Sequence, residues 1–261
     1  MSYSTPSHVR EALVAAGITG PHQSHSRSGS IAKIHGLLDG DRDATFGLSG
    51  IEKYAAHEIL GFMSELTGCP ADIADVDCDD FIDPDLTVSG IEAAAERLAG
   101  AASTGANLFC ATGHPTGMLE HNIRVVDAYI EAGGKIMRLR ESESLSVKRG
   151  RERQVRYTGG VGCVADWGAL LHTHSSAAME ALLESKPWPD LVLADHGFAG
   201  AAIERGIPTI AIMDINDHAL AVAAAEGNDL TIVPLDDNRL PHLYEPSWTL
   251  IRERLVGQNP S

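Results

Sequence analysis

Residues 190–217, DLVLADHGFAGAAIERGIPTIAIMDIND, constrain the fold of this chain more than any other stretch. Leu191, Val192, Leu193 and Ala194 form a short apolar run after a proline, the pattern of a buried strand. Asp195, His196 and Gly197 follow where that strand must end. Residues 199–204 suit a helix that Gly206 and Pro208 stop, and residues 209–213 read as a second strand. Asp214 and Asp217 then stand at the end of that second strand. Two successive strands thus close on titratable groups. An open parallel sheet binds its ligands outside the carboxyl ends of its strands, so this repeated placement marks the candidate active site.

The same texture extends on both sides of this stretch, from about residue 104 onward. Residues 107–111 form a short apolar strand, TGHPTG follows at 112–117, and a helix is expected over 118–132 until Gly133 and Gly134 end it. Residues 135–139 form the next strand and complete a β-α-β unit. Residues 140–156 are highly charged and read as exposed, either an irregular loop or the tip of a hairpin. GGVGCVADWGALLHTHSS, residues 159–176, gives a flexible start and then a strand-like passage into His172 and His174. Ser175 or Ser176 is placed to cap a helix over 177–184. A last strand at 230–234 leads into Asp236 and Asp237, and a terminal helix is expected over 247–255.

The first 103 residues read differently, as mostly helical. Helical periodicity marks 7–17 and 31–38. A longer helix is expected to be capped by Ser49, with Glu52 in capping-box spacing. Another, over 87–101, has Thr87 or Ser89 as its expected cap. GPHQSHSRSGS, residues 20–30, is either a plain connection or a lid that brings His22, His25 and Arg27 to a phosphate. The acidic, proline-broken residues 67–85 lack the ligand order and glycine turn of an EF-hand, and read as a solvated loop. The expected architecture is therefore α/β: a mainly parallel sheet flanked by helices. A helical portion (1–103) packs on an α/β portion (104–261), with no long linker between them and one integrated domain allowed.

Composition narrows the class of partner. The 261 residues suffice for a full core, and 44% hydrophobic with 21% charged residues is an ordinary globular balance. A formal net charge of −16 repels phosphate backbones and anionic lipids, which argues against nucleic-acid and membrane partners. It leaves room for a small phosphorylated substrate, because a bound cation or a helix N-terminus reverses the field locally. A homo-oligomer is compatible with everything above. Four cysteines without C-x-x-C spacing, no signal-peptide pattern at the start and no apolar run near the roughly 20 residues of a membrane span point to a cytoplasmic protein.

The chemistry lies at the strand ends. TGHPTG places Thr112, Gly113, Thr116 and Gly117 at a strand-to-helix turn, where unpaired N–H groups favour an anion. The same glycines would equally serve a tight turn alone, and the motif is neither a P-loop nor G-x-G-x-x-G. His172 and His174 share a face if extended, and either ligate a transition metal or stand as two satisfied imidazoles. Taken with Asp195, Asp214, Asp217, Asp236 and Asp237, they suggest a rim able to hold a divalent ion, Mg²⁺, Mn²⁺ or Zn²⁺, with His172, His174, Asp195 and Asp214 as the expected ligands. Asp195, His196 and His114 are the candidate catalytic groups. Thr112, Gly113, Thr116, Gly117 and Arg27 are the candidate substrate contacts. No G-x-S-x-G elbow, no Cys-x5-Arg loop and, in the α/β portion, no D-x-D pair supports a covalent intermediate on those nucleophiles. A phosphohistidine and an activated water both stay open.

LFCATGHPTGMLEHN, LLHTHSSAAMEALL, PDLVLADHGFAGAAIERGI, DINDHAL and VPLDDNRLPHLYEP, taken in this order, resemble a bacterial family, found largely in actinomycetes, named simply Phosphatase. GDRDATFGLSG and FIDPDLTVSGIEA extend the resemblance over most of the chain. It implies phosphomonoester hydrolysis and supplies no residue assignments of its own. The leading expectation is a phosphatase of a small phosphorylated metabolite. The alternatives are a non-catalytic module that binds a nucleotide or sugar phosphate on the same rim, and a different metal hydrolase. Metal content separates the first from the binding module.

Overall fold

A computed structural model describes residues 7–21, 24–141, 143–145 and 153–257. His22 and much of the charged 140–156 segment lie outside the described residues. In chain order the elements open with α1 (Ser7–Ala15), β1 (Gly20–Pro21), α2 (Arg27–Leu38), α3 (Arg42–Thr45), a 3-10 turn (Ile51–Lys53), α4 (Ala56–Thr67), β2 (Phe81–Ile82) and α5 (Pro84–Ser103). The α/β portion continues with β3 (Asn107–Ala111), α6 (Pro115–Glu131), β4 (Lys135–Ile136), β5 (Ser144–Leu145), β6 (Arg153–Thr158), β7 (Val161–Asp166), β8 (Ala169–Leu170) and α7 (Ala177–Leu182). It closes with β9 (Leu191–Ala194), α8 (His196–Glu204), β10 (Thr209–Met213), α9 (His218–Ala225), β11 (Leu230–Pro234) and α10 (Glu245–Val256).

Nine of these strands form one sheet in the order β11-β10-β9-β3-β7-β6-β5, with β4 also beside β3 and β8 beside β7. The pairs from β11 across to β7 are parallel, and β5–β6, β6–β7 and β7–β8 are antiparallel. The protein is thus α/β with a mixed, mostly parallel sheet. The strand expected over 135–139 is cut short at Ile136 for a topological reason. β4 pairs with Asn107 and Leu108, and β7 takes over the same side of β3 at Cys110 and Ala111. The charged segment leads into the β6–β7 hairpin, in which Val161 and Gly162 lie level with the end of β3.

Side chains of the central strands alternate between two cores, as the two-residue period of a strand requires. Phe109, Ala111, Val192, Ala194, Ala211 and Met213 face α2, α4, α7, α8 and α9. Leu108, Cys110, Leu191, Leu193, Ile210 and Ile212 face α1, α5, α6 and α10. The N-terminal helices are divided between the faces, α2 and α4 on one, α1 and α5 on the other, so both cores draw on residues from either side of residue 103.

Three expected helix starts are corrected. α5 begins earlier, with Pro84 at its first position and Asp83 as cap, Asp83 Oδ1 accepting from Asp85 N at 2.8 Å. Thr87 instead donates to Pro234 O at 2.8 Å, tying α5 to the end of β11. Ser49 caps nothing: its Oγ donates to Glu204 at 2.7 Å, and the helix starts at Ala56, with Glu58 reaching back to Ala55 N at 2.7 Å. α2 begins at Arg27, not Ile31, because Ser26 accepts from Gly29 N. All four cysteines are unpaired thiols. No helix among the described residues is long and apolar enough to cross a membrane.

Candidate active site

Parallel register brings the ends of β3, β9, β10 and β11 to one rim, and each end contributes polar groups. β3 runs into Thr112–Gly113–His114, β9 into Asp195–His196, β10 into the Asp214–Asp217 turn, and β11 into Asp236–Asp237. Residues 172–174, which follow β8, lie across this rim, where Thr173 N donates to Gly113 O at 2.9 Å. The approach depends on Gly113, since a Cβ there would sit 2.2 Å from Thr173 O. From the other side, Asp236 N donates to Ile18 O, and Ser24 Oγ donates to the Asp236 carboxylate at 2.6–2.7 Å. That anchoring carries the chain into α2 over the site.

Four imidazoles pack together. His174 stacks on His196 at 4.2 Å between ring centroids, His114 lies 3.8 Å from His172 and 4.7 Å from His196, and His172 Nε2 is 2.9 Å from His174 Nε2. Asp237 is the hub beneath them. Its Oδ2 is 3.3 Å from His114 Nδ1 and 3.3 Å from His196 Nε2. Asp195 Oδ1 lies 3.6 Å from His196 Nδ1, and Asp217 Oδ2 lies 3.6 Å from His196 Nε2. Asp195, Asp217 and Asp237 are fully buried, His114 and His196 nearly so, and His172 is exposed at the mouth. His196 itself has φ +42°, a left-handed backbone uncommon outside glycine and seen where function fixes a residue.

Burial and mutual repulsion set the charges. Burial, then the Asp237 charge, pushes Asp195 up to about 6 and Asp217 up to about 7. Asp214 rises for the same reasons. Burial also opposes ionisation of Asp237, yet His196 and His114 hold it well below the usual carboxylate range. For His114, burial works against the proton, but the facing Asp237, with Asp195 and Asp217 behind it, raises it to about 9. Burial, followed by Lys33 and the neighbouring rings, lowers His174 to about 3, and burial lowers His196 and His172 as well. Negative charge is thus concentrated on Asp237 and answered by the proton on His114.

Among the described residues two sets of three are spaced to hold a metal ion, and they share His196. Asp195, His196 and Asp237 form an inner, fully buried set, and His114, His172 and His196 an outer one, with the donor atoms of each set within 4.8 Å of one another. The inner set fits a cation on its own chemistry, because neither buried oxygen of Asp237 makes a well-formed hydrogen bond, the ring nitrogens of His114 and His196 standing 3.3 Å from Oδ2. A model of the Phosphatase family matches residues 4–258. The chain belongs to the Phosphatase family. Within that family, Phosphatase SCO2771 of Streptomyces coelicolor is 35% identical over 251 residues, which cover 93% of this chain and 94% of that protein.

Of the expected site residues of this phosphatase-family chain, the fold gathers His114, His172, His174, Asp195 and His196 around one centre. The four expected metal ligands do not form one set. His172 and Asp195 fall in different triads. His174 stacks flat on His196, and Asp214 turns away, accepting from Ile215 N at 2.6 Å and facing His25 Nε2 at 3.3 Å. The turn at 112–117 spends most of its donors inside the protein. Gly113 N and Thr112 Oγ1 both donate to the Asp195 carboxylate, His114 N donates to Thr112 Oγ1, and Gly117 N donates to His114 O. Pro115 has no N–H, so the anion this turn holds is the protein's own Asp195. Thr116 is exposed, and Gly117 serves packing, a Cβ there falling 2.6 Å from Asp237 O. Arg27 points away from the rim, donating to Asp80 Oδ1 at 2.8 Å and to the carbonyls of Pro70, Asp72 and Asp75. Sequence reading did not select Lys33 and His218. Lys33 acts electrostatically on His172, His174, His196, Asp217 and His218, yet nothing local distinguishes it from any other helical lysine.

Proposed function

We propose that this chain is a cytosolic phosphatase that hydrolyses a small phosphorylated metabolite, with a divalent cation, Mg²⁺, Mn²⁺ or Zn²⁺, held by Asp195, His196 and Asp237. The observation that carries the reading is Asp237: a fully buried carboxylate, held ionised, that makes no well-formed hydrogen bond and faces the ring nitrogens of His114 and His196 at 3.3 Å. A cation bound there would neutralise phosphoryl charge and make water a better nucleophile at neutral pH. Asp195 is oriented for this task by the Thr112 hydroxyl and Gly113 N–H, the kind of outer hydrogen bonding that fixes a ligand's direction. His114, 3.3 Å from Asp237, is the chain's own proton holder and the candidate to protonate the leaving oxygen. Substrate would enter on the side of the exposed His172.

The test is metal analysis of protein purified without chelator, followed by phosphate release from a panel of phosphomonoesters with and without Mg²⁺, Mn²⁺ or Zn²⁺. Bound divalent metal, with activity that chelation removes and one of these ions restores, is the expected result. Protein that binds phosphate esters but releases no phosphate under any ion would instead be a binding module.

A further inference from the structure

In the turn at 112–117 the N–H groups of Thr112, Gly113, His114 and Gly117 and the Thr112 hydroxyl are committed within the protein, which leaves the exposed Thr116 as its one donor, and a neutral one. The rest of the rim is rich in carboxylates. A phosphoryl group in this pocket therefore needs positive charge from another element. α2 supplies it. Lys33 is half-buried, and its Nζ lies 3.1 Å from the Asn216 side-chain oxygen, with that amide oriented so that its nitrogen donates to Asp217 Oδ1 at 3.2 Å. Among the described residues Lys33 has no carboxylate partner within ion-pairing distance, in a chain of net charge −16. Asn216, which Lys33 contacts, reaches Asp217, whose Oδ2 lies 3.6 Å from His196 Nε2, and the field of the ammonium acts on His172, His174 and His196 as well as on Asp217 and His218.

We infer that Lys33, with the His172–His174 pair beside it, forms an oxyanion subsite that holds the phosphoryl group. The inference rests on the phosphatase reading and divides the pocket into two halves. Asp195 and Asp237 face a cation, and Lys33, His172 and His174 face an anion. A lysine without a counter-ion in a partly desolvated pocket is unfavourable unless an anion joins it, and an ammonium binds phosphate as a point charge that tolerates rotation of the group. One Nε2–H is shared between His172 and His174, so the pair keeps the Nδ1–H of the accepting ring to donate.

The experiment uses inorganic phosphate as probe, titrated calorimetrically into metal-loaded wild-type, Lys33→Gln and Lys33→Arg proteins, with metal content and thermal melting measured in parallel. Loss of one charge-assisted hydrogen bond should weaken phosphate binding about 10–100-fold in Lys33→Gln. Metal content should not change, and Lys33→Arg should recover part of the loss. KM for any phosphomonoester turned over should rise by a similar factor, with kcat less affected. Should Lys33→Gln melt early, Lys33→Met, which keeps most of the stem, is measured in its place. Equal phosphate affinity in wild type and the neutral variants overturns the inference, as does a wild type that binds no phosphate. Lys33-dependent phosphate binding in a protein that hydrolyses no ester would uphold the subsite and overturn the hydrolase. Hydrolysis that is indifferent to Lys33 would do the reverse.

Discussion

Asp195 joins two strand ends through one carboxylate: it accepts from Thr112 and Gly113 after β3 and stands 3.6 Å from His196 Nδ1 after β9. An amide in its place would turn its NH₂ toward one of those donors and remove the charge from the inner ligand set. Asp195→Asn, and likewise His196→Ala, should lower turnover by about 10²–10⁴ while circular dichroism stays native. His57→Ala, on the exposed side of α4, should leave both unchanged. A buried histidine outside the site contributes to acid stability. His121 contacts Asn122 Oδ1 and Ser247 Oγ, and burial lowers it to about 4. An unfolded histidine titrates near 6.5, so the unfolded chain binds the extra proton first. The stabilisation is fully present above about pH 6.5 and is lost as pH falls through about 4, roughly 3 kcal/mol in all. Urea melts of His121→Gln should show a flatter pH dependence across that window than wild type.

Among the elements, the segment at 172–174 matters most, because it has almost no regular structure and still supplies two of the four imidazoles. Its backbone is held close at Gly113, where a Cβ would lie 2.2 Å from Thr173 O and 3.1 Å from His196 Nδ1. Gly113→Ala should therefore destabilise by about 1–3 kcal/mol in denaturant titrations, the usual range for overpacking, and should also lower metal retention on dialysis. Element types were legible because the apolar runs at 107–111, 191–194, 209–213 and 230–234 are short and bounded by glycine, proline and aspartate. Helix starts were less legible. Thr87 and Ser49 look like caps, but each hydroxyl is engaged by a distant element, Pro234 for one and Glu204 for the other. Local preference for a cap is worth about 1 kcal/mol and yields readily to such a contact.

For the whole molecule, the decisive feature is that the first 103 residues cover both faces of the sheet. Leu13 and Ile91 pack on one face, Ile34, Ile59 and Leu60 on the other. Limited proteolysis should thus release no stable fragment ending near residue 103, and mass spectrometry of a digest series would reveal one if it formed. The sequence by itself determined the α/β class, the positions of β3, β9, β10 and β11 and the gathering of His114, His172, His174, Asp195 and His196. Parallel strands in one sheet must end on a common rim, so residues at strand ends are neighbours wherever they fall in the chain. Only the tertiary structure decided which of those groups face one another. It turned Asp195 into the anion of the 112–117 turn, moved Asp214 toward His25, made Asp237 the hub and brought Lys33 in from α2. Such choices rest on distances of a few ångströms between elements far apart in sequence, and no local pattern of residues encodes them.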